Sequence, residues 1–409
     1  MSPRVQSDFA SPHSETGSAG VSKRAVIGRS HWPIRGCRIS GLLLLVGLLG
    51  LVAGCHVAGP PRSPAPRASQ FIAVTNFSEF RQVGEGPSGH CVFLSPPFET
   101  PAPWNELVVS WNAAPARPAG LKIEALLPTT TGPDRAYTLG LWSPDPTRHP
   151  RHSVNGQRDA CGEVQTDTLV LRRPARRFRL RLTVQPFEGH PVPDQLPLKF
   201  LGLSLADRTT APRRLPVWTN AWGTILDVPQ RSQLSHAEGS GWCSPTAVSM
   251  VLAYWAHVLG RPDLDVPVPE VARGVHDPNW PGTGNWPFNT AFAGALPGMR
   301  AYVTRLEAVE EIERWVAAGV PVIVSVVPGV LNSGAAGAST GHLIVCVGFT
   351  AEGAPVLNDP WADPRTGQSV RRVRPRVRLE QAWQRSGRTV YLIHPETWTV
   401  PDDPLGHWR

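Results

Sequence analysis

The stretch Trp242-Cys243-Ser244-Pro245-Thr246-Ala247-Val248-Ser249-Met250-Val251-Leu252-Ala253-Tyr254-Trp255 decides how the second half of this chain is read. Apolar residues recur at Ala247, Val251 and Trp255, and again at Val248 and Leu252, the spacing of an amphipathic helix that runs from Ser244 to about Val258. Gly260 supplies a stop, and Pro245 suits a first turn whose amides have no partner inside the helix. Cys243 is thereby placed at a helix N-terminus, where unpaired amides and the positive end of the dipole favour a thiolate.

A thiolate also needs a group to shuttle protons. Downstream, Gly341-His342-Leu343-Ile344-Val345-Cys346-Val347-Gly348-Phe349 reads as a buried strand with histidine at its start. After a Glu352-Gly353 turn, Pro355-Val356-Leu357-Asn358 leads to Asp359. Neighbouring antiparallel strands would bring His342 and Asp359 together, the carboxylate fixing the tautomer while the other ring nitrogen faces sulfur. A cysteine at a helix start is, taken alone, more often a buried small residue, and Cys346 inside the strand is read as core. Cys243 is set apart by two partner motifs at suitable distances along the chain.

In this order, Cys on a helix, Gly-His on a strand and Asn-Asp-Pro, the motifs resemble the C39-like branch of the papain-like cysteine peptidases. The resemblance covers roughly residues 223–395, from Val228-Pro229 to the closing strand Val390-Tyr391-Leu392-Ile393. It implies a helix packed on an antiparallel sheet, with Cys243, His342 and Asp359 as catalytic residues. It also implies an upstream glutamine whose amide joins the Cys243 N–H in holding an oxyanion, a role that Gln233 fits better than Gln230. Leu234–Gly241 is an insertion relative to compact family members, and Ser244 stands where glycine is commoner. Gly282-Thr283-Gly284-Asn285-Trp286-Pro287-Phe288-Asn289 reads as a loop over the cleft with Trp286 as a substrate-side wall. Glu310-Glu311-Ile312-Glu313 opens a short acidic-faced helix that ends at Gly319.

Upstream, residues 71–207 show short apolar runs separated by Gly/Pro turns. The clearest, Phe178-Arg179-Leu180-Arg181-Leu182-Thr183-Val184, alternates with period two, so one face is buried. A β-sandwich-like domain follows, with Trp104, Trp111 and Trp142 in its core. Cys91 and Cys161 are its only cysteines, and are expected either to pair as a disulfide or to stay two separate thiols. The expected class is therefore α+β: a β-sandwich-like domain at 71–207, a linker at 208–222 and a papain-like domain at 223–409.

At the N-terminus, Arg35 and Arg38 precede an apolar run at 41–54, too short for a comfortable ~20-residue membrane span. It ends Val52-Ala53-Gly54-Cys55, which resembles the lipobox of bacterial lipoproteins, in which the cysteine carries the lipid. Residues 1–54 thus read as a lipoprotein-type signal and 55–70 as a Pro-rich tether, with Cys55 anchored in a membrane and the folded part exported into the cell envelope. The net charge of +8 does not indicate nucleic acid, since the leader carries half of the excess, six basic residues against two acidic. The run Arg371, Arg372, Arg374, Arg376 and Arg378, interleaved with Val373 and Val377, is expected to be the wet face of a strand. No metal-ligand spacing or phosphate loop is present, so no cofactor is expected. Three function classes stay open: a thiol peptidase or amidase acting on peptides or cell-wall peptide cross-links, an acyltransferase or transglutaminase-like enzyme, and a non-catalytic envelope-binding lipoprotein.

Overall fold

Alternation in the 178–184 segment is what the computed structural model shows: Phe178, Leu180, Leu182 and Val184 are buried, while Arg179, Arg181 and Thr183 are half-buried. The structure describes residues 67–86, 89–114, 118–130, 132–188, 195–334 and 341–409. The lipobox, Cys55 and most of the tether lie outside them. The described residues pack as one unit with a continuous apolar core.

The first region is all strand: β1 (Ser69–Val74), β2 (Arg81–Gly86), β3 (His90–Leu94), β4 (Phe98–Ala113), β5 (Ala119–Leu127), β6 (Arg135–Trp142), β7 (Gly162–Gln165), β8 (Thr168–Pro186) and β9 (Leu198–Ala206). The long β8 joins two antiparallel layers. Its first half lies between β4 and β7, and its second half between β3 and β5. Trp104, Trp111 and Trp142 are core residues, as read from the sequence.

The expected Cys91–Cys161 disulfide is not formed, and β8 gives the reason. Cys91 is buried opposite Val184, while the Cys161 carbonyl accepts from Arg172, twelve positions back along the same strand. Cys161 instead sits in the turn tied to Asp159, so the two thiols are carried to different parts of the region, beyond the ~7 Å limit for bridged Cα atoms.

The second region contains α1 (Cys243–Leu259), α2 (Val268–Val275), α3 (Trp286–Ala295), β10 (Met299–Arg305), α4 (Val309–Ala317), β11 (Val322–Val326), α5 (Pro328–Ser333), β12 (His342–Phe349), β13 (Pro355–Asn358), β14 (Arg371–Val373), α6 (Arg376–Arg385) and β15 (Thr389–Pro395). Its six strands form one antiparallel sheet in the order β10-β15-β11-β12-β13-β14. Helix α1 ends where expected, with Gly260 left-handed at φ 62°. It is buried on all sides from Ser244 to Ala256, more than a single stripe requires, because other elements cover its back. Its two serines find partners inward: Ser244 Oγ lies 3.0 Å from Tyr391 Oη, and Ser249 Oγ donates to the Val266 carbonyl at 2.7 Å.

Three sequence readings are corrected here. In the arginine run it is Val373 and Val377 that are exposed, while Arg371 bonds Asn358 and the Val228 carbonyl and Arg376 pairs with Glu310 and Glu313. In α4 the acidic face is not wet: Glu311 and Glu313 are buried against His407 and Arg376. The supposed loop at 282–289 becomes helix from Trp286, because Asn285 Oδ1 accepts the Phe288 N–H and Pro287 suits the first turn.

The two regions are welded along β10, the edge of the six-stranded sheet. Asn112 on β4 donates to the Ala301 carbonyl at 2.7 Å and accepts the Ala301 N–H at 3.0 Å, and Ser110 Oγ accepts the Val303 N–H at 2.8 Å. These side chains satisfy strand-edge groups that would otherwise stay unpaired in a dry interface. Aromatic contacts of Phe71 and Phe200 with Tyr302, and of Trp111 and Trp142 with Phe288, complete the seam.

Candidate active site

Cys243 is the first residue of α1, behind Trp242, whose side chain makes no cap. The Ser244 amide at the helix start and the Leu343 amide on β12 both favour the thiolate form of Cys243. The thiol is half-buried at the wall of a cleft of about 830 Å³.

His342 opens β12 opposite Val326, and Asp359 follows the last residue of β13, so the β12–β13 pairing brings them together as the sequence suggested. Their contact is 2.8 Å between Nε2 and Oδ1. The ring lies close enough to the Cys243 thiol for each to shift the other's protonation, and with Nε2 engaged by Asp359, Nδ1 is the nitrogen left to serve sulfur. Asp359 is held in turn by the Trp361 N–H at 3.0 Å, with Arg372 Nη1 at 4.0 Å from its other oxygen.

Electrostatics follow from these contacts. Burial pushes the Cys243 thiol up, but the His342 ring and the two amides outweigh burial and hold it below its ordinary value. Burial pushes His342 down, but Asp359 and Cys243 outweigh it and raise the ring to about 10. Burial would raise Asp359, yet His342, the Trp361 amide and Arg372 keep it below the usual carboxylate range. All three shifts run in the direction of a thiolate, an imidazolium and a carboxylate.

Gln233 begins a short 3₁₀ turn and lines the same cleft. Its backbone N–H donates to the Pro360 carbonyl, which ties it to the segment just after Asp359. Its Nε2 donates to the Gly239 carbonyl at 2.9 Å, which leaves the second amide hydrogen available. Gly239 is required there, because a Cβ would lie 1.8 Å from the Gln233 carbonyl oxygen. Gln230 instead accepts from the Arg371 N–H, beside β14. Cys346 is buried in β12, and burial pushes its thiol up to about 12.

Trp286 lines the cleft, as the sequence reading placed it. So do Trp280 and Trp361, 44% and 54% exposed, which that reading did not single out. Large indoles left half in water beside a polar centre are suited to stacking on a substrate chain. The opposite wall comes from the first region, at the Gln165–Thr168 turn, Glu106 and Arg208. Only tertiary packing brings these residues here, and their local sequence gives no sign of it. Among the described residues no group of His, Cys, Asp or Glu is arranged to hold a metal ion.

Residues 225–391 match the sequence model of the Peptidase C39-like family, and residues 89–194 match that of the Peptidase C39 N-terminal domain. Among solved structures, one described as a C39-like peptidase from Bacillus anthracis is 21% identical with a TM-score of 0.33, covering 42% of this chain and 98% of its own. No curated protein matches.

Proposed function

Residues 225–391 belong to the C39-like peptidase family, and on that premise we propose that the protein is an exported, lipid-anchored cysteine peptidase that cuts peptide or amide bonds through Cys243, His342 and Asp359. One observation carries the reading: a sulfur lining the cleft is electrostatically coupled to a ring that a buried carboxylate holds at 2.8 Å through Nε2.

In the proposed reaction the Cys243 thiolate attacks the scissile carbonyl, forming the carbon–sulfur bond as the carbonyl electrons move onto oxygen. The Cys243 N–H, the first amide of α1 and without an acceptor inside the helix, faces that oxyanion together with the free hydrogen of Gln233 Nε2. Collapse expels the amine, which takes the His342 Nδ1 proton. The neutral ring then takes a proton from water, whose oxygen displaces sulfur and releases the acid. Asp359 keeps the ring oriented and stabilises its charged form. Peptides, including cell-wall peptide cross-links, are the substrate class.

The test is selective alkylation of Cys243 by iodoacetamide in acid, read by intact mass, paired with peptide-library cleavage. We expect early labelling of Cys243 and cleavage abolished by Cys243→Ala. Labelling at an ordinary thiol midpoint would speak for a binding module on this scaffold. For the anchor, metabolic labelling with a fatty-acid analogue should mark the protein and be lost in Cys55→Ala; retained label would remove that part.

A further inference from the structure

The wall that the first region contributes has a chemistry of its own. Arg208, two residues beyond β9, and Arg305, the last residue of β10, both line the cleft that holds Cys243. They share one carboxylate, Glu106: Arg208 Nη1 is 3.4 Å from Oε1, and Arg305 Nη1 is 2.6 Å from Oε2 without an aligned hydrogen bond. Arg305 is buried, and burial together with repulsion from Arg208 moves its guanidinium downward despite the attraction of Glu106 and Asp167. Arg208 is about half exposed, and Glu106 is its guanidinium's one contact among the described residues.

The other carboxylate nearby, Asp167, attracts the buried Arg305, so the open donors are those of Arg208. Asp167 accepts the Trp286 N–H at 2.7 Å through Oδ2 and the Thr168 hydroxyl at 3.0 Å through Oδ1, both neutral donors. Burial pushes it up to about 6 against its hydrogen bonds and the attraction of Arg305. Its task is positional. The Asp167 N–H closes a γ-turn onto the Gln165 carbonyl at 2.7 Å, with Thr166 at a left-handed φ of 59°, a conformation that a β-branched residue holds only when its surroundings enforce it. The turn is thereby clamped to Trp286 at the start of α3.

We propose that Arg208 and Arg305 form a subsite for a carboxylate of the peptide substrate, on the side of the cleft walled by the β-rich region. The proposal rests on the peptidase reading for its ligand. A guanidinium fork with one long contact and open donors is matched by a carboxylate, which would complete a charge-assisted pair. An acidic side chain and a free C-terminus supply the same group.

The experiment is affinity selection with mass-spectrometric readout on the full chain carrying Cys243→Ala. Three hexapeptide pools are offered: one without acidic residues and C-terminally amidated, one identical but with a free C-terminus, and one amidated with a glutamate at varied positions. At least about tenfold enrichment of a carboxylate-bearing pool over the neutral pool is expected. The free-acid pool winning would point to the chain end, the glutamate pool to a side chain. Arg208→Ala should erase the preference, and Arg208→Glu should turn it toward basic peptides; Arg208 is solvent-accessible enough for the fold to persist in both variants. Equal retention of all pools overturns the subsite, as does a preference that survives Arg208→Ala. Retention of none overturns it together with peptide binding. Charge-dependent retention of peptides that the wild type never cleaves leaves the subsite standing and removes the peptidase reading.

Discussion

Replacing Asp359 by asparagine tests the electrostatic core of the site, because it keeps an oxygen acceptor for His342 Nε2 and removes the charge. The ring is raised from 6.5 to about 10, which corresponds to about 5 kcal/mol of preference for imidazolium. Two anions produce that preference against burial, and the Asp359 contact comes ahead of the Cys243 contact. Removing the carboxylate therefore takes at least half of it, and His342 should titrate roughly 2 pH units lower. The direct assay follows the ring resonances of isotope-labelled histidine against pH, with His342 assigned by its loss in His342→Ala. Alkylation of Cys243 in acid should slow in parallel, because a less stable imidazolium stabilises the thiolate less. Stability gives a second readout. A raised histidine contributes fully below 6.5 and loses that contribution as pH rises through about 10. The depressed Asp359 contributes above 3.8 and loses it as pH falls through its lower native value. The variant should lose the acid-side dependence and move the alkaline one downward. An unchanged His342 titration in Asp359→Asn would refute the assignment of Asp359 as the residue that polarises the ring.

Gly239→Ala would drive a methyl into the Gln233 carbonyl, so turnover should fall by roughly a hundredfold, as for loss of an oxyanion donor, with the acid alkylation of Cys243 unchanged. His407 lies buried between Glu311 at 2.5 Å and Glu307 at 3.2 Å, and His407→Ala should cost about 3 kcal/mol by leaving their charges under-paired, measured as a lower urea midpoint. Because partner carboxylates outweigh burial and raise His407 to about 9, wild-type stability should fall as pH rises through that value, a dependence the variant should lack. Asn112→Ala strips both backbone partners from Ala301 and should cost about 2–4 kcal/mol; a change within ~0.5 kcal/mol would show that the β10 edge finds other partners.

What could be read from the sequence was whatever local periodicity and short spacings encode. The α1 boundaries, the β12 strand with His342 at its head and the turn that returns Asp359 beside it all depend on neighbours within about twenty positions. The burial of Trp104, Trp111 and Trp142 followed from composition alone. Readings failed where a distant residue decided the outcome. Glu311 and Glu313 look like a solvated helix face until His407 and Arg376 arrive from elsewhere in the chain. The arginines of 371–378 look wet until Glu310, Glu313 and Asn358 are found beneath them. Cys91 and Cys161 look like a pair because shared membership of a domain was taken for proximity, whereas their register on β8 separates them.

The same reasoning explains why the first region belongs to the site's mechanics. The loop that carries Trp280 is held from both sides: Asp277 Oδ1 accepts the Ser153 N–H at 3.1 Å, and Asn279 Nδ2 donates to the Ser153 carbonyl at 2.9 Å. At its far end Thr283 Oγ1 donates to the Gly241 carbonyl at 3.0 Å, two residues before Cys243. Asp167 fixes the start of α3, and with it Trp286, from the same region. Removing the β-rich region would release the Trp280 loop, free the N-terminus of α3, bare Phe288 and Tyr302, and unpair the β10 edge together. The nucleophile and its ring stand on α1 and β12, held by contacts internal to the second region. The groove in which a peptide must lie is completed only by the first.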